Sequence, residues 1–314
     1  MVQYQLKLRP CKAQEKTCDQ WLFHLASVYN FAVRKIEQNA KDKIYFGKHE
    51  FQNLLAGHGE KLRIPSHTLQ GVLCTVYDAW KRCFKKIVGK PRLKGVRNRL
   101  TSIPFPDPIE APSGNRITLP GLGSVRFHKM ELPEGRIKCG RLVKRASGWY
   151  LCLFIDAEPK AIERVAFGQI GIDSGFKNLL TTSDGEIIEH PRELEAAAER
   201  LAQAQRGHDE QLAARIQERI ANRRKDRNHK LSHRLVAENT LIAFTKDNIT
   251  GIAKRFGKSV ASSAHYHLRQ MLSYKMPKSG GTYVEPESKN STKTCNECGS
   301  LSGPTGLAGL SVRY

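Results

Sequence analysis

The sequence predicts a multidomain α/β protein in which a small β-barrel is interrupted by a helical insert and followed by a second α/β domain. Three observations predict this architecture. Alternating apolar and polar residues mark a strand at 1–10 and several short strands at 101–158. Helical periodicity fills 11–98, between those strands. After residue 165, short apolar runs alternate with long helical segments.

The N-terminal segment begins with a half-buried strand, and two helices follow it. The strand ends at Pro10, which cannot donate to a sheet ladder. The first helix is predicted from Ala13 to about Gln38. The second is predicted from Ser66 to Ile87, with Ser66 as its N-cap. The aromatic residues of both helices fit core packing.

Four short alternating runs follow the helical insert. Turns rich in Gly, Pro and Asn separate them, which is typical of an all-β segment. Together with the first strand they predict a small barrel. The runs are Ile117–Leu119, Ser124–Phe127, Ile137–Val143 and Trp149–Ile155.

A hairpin of two buried strands is predicted at 170–186, which reads IGIDSGFKNLLTTSDGE. Asp173 ends the first of these strands. A carboxylate on a buried strand costs free energy unless it is paired or holds a cation. The alternative is a turn aspartate that caps its own loop. The pattern at this stretch leaves both interpretations open.

A helical hairpin is predicted at 192–237, with Gly207 between its two arms. On the second arm, polar and basic residues crowd 221–235, and few acidic residues are placed to pair with them. This favours contact with a nucleic-acid backbone over a solvated basic helix. The remaining predicted elements are a strand at Thr240–Phe244, a helix at Ala261–Tyr274 and a strand at Thr282–Val284.

The charge balance predicts a polyanionic partner. Lys and Arg number 52 against 30 Asp and Glu, a net charge of +22, which favours nucleic acid. The stretch 85–99 is broken by Gly and Pro and contains no acidic residue, which favours phosphate contact. Its basic residues are Lys85, Lys86, Lys90, Arg92, Lys94, Arg97 and Arg99.

Export and membrane insertion are not predicted. No apolar run approaches the roughly 20 residues of a spanning helix, and the first ten residues lack the apolar core of a signal peptide. Eight Cys are scattered along the chain, and only Cys295 and Cys298 stand at ligand spacing. The other six are interpreted as reduced thiols of a cytoplasmic protein.

Six motifs, in order along almost the whole chain, resemble the TnpB family of transposon-encoded RNA-guided DNA endonucleases, which are related to type V CRISPR effectors. The motifs are LKLRPCKAQ at 6–14, Val28-Tyr29-Asn30, GKPRLKG at 89–95, GIDSGFKNLLTTSDG at 171–185, ANRRKDRNHKLS at 221–232 and STKTCNECG at 291–299.

The resemblance implies four domains. They are a wedge β-barrel formed by 1–10 and 99–165, a helical recognition domain at 11–98, an RNase-H-like RuvC domain at 166–292 and a truncated zinc ribbon at 293–314. It also implies two partners, a guide RNA and double-stranded DNA, and a cytoplasmic location at the bacterial nucleoid. A monomer is favoured, and the oligomeric state stays open.

In this layout the guide pairs with one DNA strand, and the protein reads a short flanking motif on the duplex. Carried over by position, Ser66, His67 and Gln70 approach that motif, where Gln suits base-edge contact. The alternative for His67 is a helix-start residue without a partner. The resemblance implies that the backbone of the RNA and of the heteroduplex is contacted by the 85–99 stretch and by Arg223, Arg224, Lys225, His229 and Lys230.

The resemblance implies a nuclease centre with three carboxylates, which hold two divalent ions. Asp173 matches the first. The family's second carboxylate is a Glu at the end of the third strand, and here that position is Thr245, followed by Lys246. A hydroxyl cannot replace the charge of a carboxylate, and a neighbouring ammonium repels a cation. Asp247 is a substitute only if the strand continues that far.

The family's third carboxylate follows the zinc ribbon and has no counterpart before Tyr314. Cys295 and Cys298 supply two of the four ligands that a structural zinc needs. We therefore expect neither a functional magnesium site nor a zinc site.

The sequence therefore favours a nuclease-dead protein that keeps RNA-guided DNA binding, because the losses fall on catalytic parts. This resembles the nuclease-dead TnpB-like repressors (TldR), which block transcription. Two alternatives stay open. One is a divalent-metal endonuclease in which Asp173 and Asp247 share an ion, and the other is a decayed transposon remnant that binds RNA only.

Overall fold

The computed structural model describes residues 1–96, 98–158, 161–175, 178–246, 257 and 263–287. The chain divides into two compact units, Met1–Pro159 and Lys160–Tyr314. Each unit has its own hydrophobic core.

The sheet of the N-terminal unit has six antiparallel strands in the order β2-β5-β6-β1-β4-β3. Strand β1 pairs with β6 along most of its length, with Tyr4 opposite Leu153 and Leu6 opposite Leu151. The first strand of the chain therefore joins the later strands, as its alternating pattern indicated. The strands are β1 (Val2–Arg9), β2 (Ser102–Phe105), β3 (Arg116–Leu119), β4 (Gly123–Phe127), β5 (Arg136–Arg145) and β6 (Gly148–Asp156).

Strand β2 was missed because Pro104 lies inside it. A proline interrupts the ladder of a central strand but is tolerated at an edge. The structure places β2 at the edge of the sheet, where it pairs with β5 alone among the described strands.

Four helices lie between β1 and β2. They are α1 (Lys12–Lys41), α2 (Lys48–Asn53), α3 (His58–Leu62) and α4 (Ser66–Phe84). The buried stripe of α1, which includes Trp21, Leu25 and Ala32, packs in the same core as that of α4. The Trp21 indole N–H donates to the Arg63 carbonyl at 2.9 Å, which fixes the approach to α4.

The prediction that Ser66 is the N-cap of the second helix was wrong. The cap is Pro65, whose extended backbone (φ −53°, ψ 132°) places its carbonyl to accept from Thr68 and Leu69. Ser66 is the first residue inside the helix, and its side chain makes no capping hydrogen bond. Because proline has no N–H to lose, it is tolerated at a helix start.

The C-terminal unit contains a five-stranded mixed sheet in the order β11-β10-β7-β8-β9. Strand β10 lies parallel to both β7 and β11, whereas β7, β8 and β9 form antiparallel pairs. The strands are β7 (Gly168–Ser174), β8 (Asn178–Thr182), β9 (Ile187–Glu189), β10 (Asn239–Phe244) and β11 (Thr282–Val284). The predicted hairpin at 170–186 is β7 and β8.

In the described part of this unit, four helices accompany the sheet. They are α5 (Glu193–Ala196), α6 (Ala198–Arg206), α7 (Glu210–Glu238) and α8 (His265–Lys278). Leu235 of α7 and Leu272 of α8 share one core with Ile172 and Phe244 of the sheet. Asp209 caps α7 by accepting from the Leu212 N–H at 2.8 Å, so the helical hairpin turns at 207–209, as Gly207 indicated.

Helix α8 extends four residues beyond the predicted end at Tyr274 and includes Pro277. Proline in the last turn still lacks its N–H, but its neighbours keep the helical path to Lys278. Within the described ranges, no helix is long and apolar enough to cross a bilayer.

Candidate functional site

Asp173 lies at the end of β7, beside the end of β10. The two strands run parallel, with Ile172 opposite Phe244, so the next pair along the strands is Asp173 and Thr245. Thr245 extends this pairing, because its N–H donates to the Ile172 carbonyl at 3.0 Å. The structure therefore brings together the two positions that the sequence compared.

The Asp173 side chain is exposed, so the expectation that it is buried was wrong. Ile170 and Ile172 point into the core, and strand alternation places Gly171 and Asp173 on the opposite face. The carboxylate therefore avoids the desolvation cost that burial would bring. Asp173 is a candidate site residue because of its position at the end of β7, not because it is buried.

Thr245 supplies a hydroxyl where Asp173 has a carboxylate. The Thr245 Oγ1 donates to the Ile172 carbonyl at 3.2 Å, which holds the side chain within the sheet. The extended path continues through Lys246, whose N–H donates to Pro286 O at 2.8 Å. Alternation directs Lys246 to the face opposite Thr245, so its ammonium repels a cation near Asp173 less than adjacency in sequence suggested.

The described donors at this sheet edge do not fit a pair of divalent ions, which require several oxygen ligands with carboxylates among them. Across the described ranges, no three His, Cys, Asp or Glu side chains are grouped closely enough to hold a metal. Asp247, Cys295 and Cys298 lie outside the described residues.

The basic stretch 85–99 is anchored to α1 by the Tyr29-Asn30 signature. The Asn30 side chain accepts from the Lys94 N–H at 2.7 Å and donates to the Lys94 carbonyl at 2.8 Å. The Lys94 ammonium lies 5.0 Å from the centre of the Tyr29 ring, within cation–π range. Two motifs that are about 60 residues apart in the sequence therefore form one structural unit.

The other basic residues of this stretch differ in availability. Lys85, Lys86 and Arg92 are exposed. Lys90 pairs with Glu37 at 3.1 Å, and the Arg99 Nε donates to the Val96 carbonyl at 3.1 Å. Arg97 lies outside the described residues.

Replacing Asn30 is expected to release this stretch from α1. Asn30→Ala removes two hydrogen bonds to the Lys94 backbone, and we expect a loss of about 1–3 kcal/mol in the free energy of unfolding. RNA affinity should fall about threefold, because the basic residues must then be ordered on binding. Chemical unfolding and filter binding measure the two effects. Asn53→Ala, at an exposed asparagine of α2, is the matched control and should change neither.

The three residues predicted to read the flanking motif share the first turns of α4. Ser66 is exposed, and Gln70 is half-buried. The His67 Nδ1 contacts the Asp107 carboxylate, so His67 has a partner, contrary to the alternative that left it without one. Of the three, Ser66 and Gln70 keep side chains with no hydrogen bond described for them.

On α7, some basic residues form ion pairs within the protein, whereas others keep exposed side chains that can contact a nucleic acid. Arg227 donates to Glu193 at 2.9 Å in a largely buried pair. Lys230 pairs with Asp226 at 2.8 Å. Arg223 and Lys225 are exposed, and neither forms an ion pair within the described part of the chain. The predicted interface on α7 therefore centres on 223–225, with Arg224 half-buried between them.

Helix α8 contributes a basic residue that sequence reasoning missed. The Lys275 ammonium donates to the Ser232 hydroxyl at 2.7 Å and to the His229 carbonyl at 3.0 Å, and burial lowers the pKa of Lys275. A cleft of about 410 Å³ is lined by His229, Lys230, His233, Arg234 and Lys275. Burial and the nearby Lys275 hold the pKa of His229 below its ordinary value. The sequence signal that could have found this residue is the position of Lys275 on the polar side of the predicted helix at 261–274 and just beyond its end.

The chain is similar to known proteins over most of its length. A family model described as "Probable transposase" (OrfB_IS605) matches residues 164–255, and one for a Cas12f1-like TNB domain matches 265–313. The "Putative RNA-guided DNA endonuclease InsQ" of Escherichia coli (strain K12) is 23% identical over 334 residues, which covers 94% of this chain and 83% of that protein.

The "Putative RNA-guided DNA endonuclease" of Streptomyces pristinaespiralis is 28% identical over 262 residues. The match covers 76% of this chain and 64% of that protein, so this chain aligns with less than two thirds of that relative. Among solved structures, a chain of a Cas12f1–sgRNA–target DNA complex matches 90% of this chain with a TM-score of 0.54 and 14% identity, and the match covers 75% of that chain.

The fold is thus of the α/β type found in Cas12-like proteins, and the family models place the chain among transposon-encoded proteins. Together, the family models and the curated relatives support the TnpB family.

Proposed function

We propose that this protein is an RNA-guided DNA-binding protein that does not cut its target and represses transcription by occupying a promoter. The observation that carries the proposal is the pairing of Asp173 with Thr245 at the edge of the parallel strands. In the family's nuclease this position supplies a second carboxylate. Here it supplies a hydroxyl already bonded to the backbone.

The domain assignment is part of the proposal. The six-stranded sheet corresponds to the wedge barrel, and helices α1–α4 correspond to the recognition domain. The five-stranded sheet corresponds to a RuvC domain, whose mixed order with β10 between β7 and β11 suits an RNase-H-like arrangement. Residues 293–314 correspond to the zinc-ribbon segment and lie outside the described residues.

The charge distribution supports retained RNA and DNA binding. The chain carries a net charge of +22, and exposed cations stand on both units, at Lys85, Lys86 and Arg92 and again at Arg223 and Lys225. Such clusters bind the phosphate backbone without reading sequence, which a guide RNA does by base pairing. The relatives' names refer to RNA guidance, and that property is proposed here for this chain.

The second candidate is an active divalent-metal endonuclease of the TnpB type. The observation that favours it is the extended path of the chain beyond β10 through Lys246, which is held by the Pro286 carbonyl. If that path continues by one residue, Asp247 shares the face of Thr245 and Asp173. A decayed remnant that binds RNA alone is the third candidate.

Purification of the protein with its bound nucleic acid tests the proposal. We expect one predominant guide-bearing RNA in the preparation and one promoter-proximal DNA site in a genome-wide occupancy map. Transcription from that promoter should rise when the protein is removed. A heterogeneous RNA population without a DNA site would instead support the remnant.

A further inference from the structure

An aromatic cavity of about 320 Å³ lies in the N-terminal unit between the end of α1, the segment 44–46 and α4. Its volume is at the small end of the range for small-ligand pockets. Six aromatic rings line its walls, those of Tyr45, Phe46, Phe51, Tyr77, Trp80 and Phe84. It is separate from the sheet edge at Asp173, which belongs to the C-terminal unit.

One wall of the cavity carries a buried hydrogen-bond donor without a partner. Trp80 is 4% exposed, and its indole Nε1 is buried with no acceptor among the described residues. An unsatisfied buried donor costs about 1–3 kcal/mol, and native proteins seldom leave one unexplained. Because the Nε1 atom itself is buried, an acceptor on a ligand reaches it only when neighbouring side chains move on binding.

The mouth of the cavity is apolar and positively charged at once. Tyr45 is 77% exposed and Phe84 is 54% exposed, although both are large rings. Phe84 also stacks on Trp80 with ring centres 5.3 Å apart. Lys81 and Lys85 line the same cavity. The preferred occupant is therefore flat, aromatic and attached to an anion.

We propose that this cavity binds one unstacked nucleobase of the protein's RNA. Single-stranded bases are recognised by stacking on aromatic side chains, and their ring nitrogens and carbonyls are acceptors for an indole N–H. Lys81 and Lys85 then neutralise the flanking phosphates. This inference rests on the proposed function, because it assumes that the protein binds RNA. It goes further by assigning a binding site to one base of that RNA.

A second copy of the chain is the competing occupant of an exposed apolar mouth. Lys81 and Lys85 disfavour it, because a symmetric contact would bring two sets of these ammonium groups together. Neither lysine has an ion pair within the described ranges, whereas Lys48 nearby pairs with Asp78 at 3.6 Å. The positive charge at the cavity mouth therefore favours an anionic ligand over the same surface of a second copy.

The test compares RNA affinity for three variants of the full protein. The probe is a transcript of the RNA that co-purifies with the wild-type protein, titrated by filter binding after the bound RNA is removed. We expect Tyr45→Ala and Trp80→Phe each to weaken binding about tenfold, in the range for loss of one stacked base. Phe23→Ala is the matched control, because Phe23 is 72% exposed on α1 outside the cavity, and it should bind like the wild type.

Ultraviolet cross-linking of the same complex locates the base directly. Trypsin cuts after Lys43 and Lys48 and releases the peptide 44–48, which contains Tyr45. We expect mass spectrometry to find a nucleotide adduct on this peptide or on the one containing Trp80. Tyr45 is largely exposed, so Tyr45→Ala keeps the test valid even if Trp80→Phe fails to fold.

The outcomes separate this inference from the proposed function. Specific RNA binding by the wild type, with equal affinities for all three variants and no adduct at the cavity, would overturn the cavity assignment alone. Absence of any specific RNA would overturn both. Concentration-dependent self-association that Tyr45→Ala abolishes, with RNA affinity unchanged, would overturn it in favour of a second copy.

Discussion

Loaded with its RNA, the protein is expected to bind target DNA and leave both strands intact in Mg²⁺ or Mn²⁺. Two-metal cleavage needs carboxylates on both sides of the shared ions, and the strand neighbour of Asp173 is Thr245, whose hydroxyl donates to the Ile172 carbonyl. Asp173→Ala should change DNA affinity by less than about twofold, because the side chain is exposed and one carboxylate cannot organise the ion pair. Plasmid cutting and gel-shift titration measure the two quantities.

Introducing the second carboxylate should create a metal site. In Thr245→Glu, two carboxylates stand on neighbouring parallel strands, so Mn²⁺ should bind the folded protein and raise its melting temperature by about 3 °C at roughly tenfold excess over Kd. The isosteric variant Thr245→Gln is the control and should show no shift, because it adds the same side-chain length without charge.

Guide-dependent cutting by the wild type, abolished by Asp173→Ala, would contradict this interpretation of the sheet edge. It would mean that a carboxylate beyond Lys246, with Asp247 the first candidate, completes the site. A melting shift with Mn²⁺ in the wild type would lead to the same conclusion before any guide is known. Either result would transfer the protein to the endonuclease alternative.

The long helices and most of the strands were predictable from the sequence. The strand at Thr282–Val284 has the predicted bounds, and the first helix differs from Lys12–Lys41 by one residue at its start and three at its end. Short elements such as α2 and α3 were missed because one or two turns carry too little periodic signal. Tertiary packing stabilises these short helices, and Phe51 of α2, for example, is buried in the core.

Charge and spacing predicted where cations are concentrated, but not which of them are available. Arg227 and Lys225 look alike in the sequence, yet Arg227 turns inward to Glu193, 34 positions away, while Lys225 stays exposed. The burial of Asp173 was predicted wrongly for a related reason. A strand with one apolar face and one open face resembles a buried strand when small residues such as Gly171 occupy the open face.

The exposed cations of α7 should dominate the affinity for RNA. Arg223→Glu together with Lys225→Glu is expected to weaken RNA binding about a hundredfold at roughly 150 mM salt, because attraction to two phosphates is replaced by repulsion. The double alanine variant should weaken it about tenfold and lower the slope of log affinity against log salt by about 1.4, since each single-strand contact contributes about 0.7.

A control at the other end of the helical hairpin separates a local contact from the overall charge of the protein. Arg206→Glu and Arg200→Glu together make the same change in net charge at exposed residues of α6. Arg206 lies at the turn before Glu210, and Arg223 lies about 20 Å along α7 from Glu210 at about 1.5 Å per residue, so the distance between Arg206 and Arg223 exceeds a Debye length. If the α6 pair weakens RNA binding as much as the α7 pair, the protein attracts RNA through its net charge alone. If the α6 pair has little effect, α7 forms a defined phosphate contact, as we expect because Arg223 and Lys225 have no ion pair among the described residues.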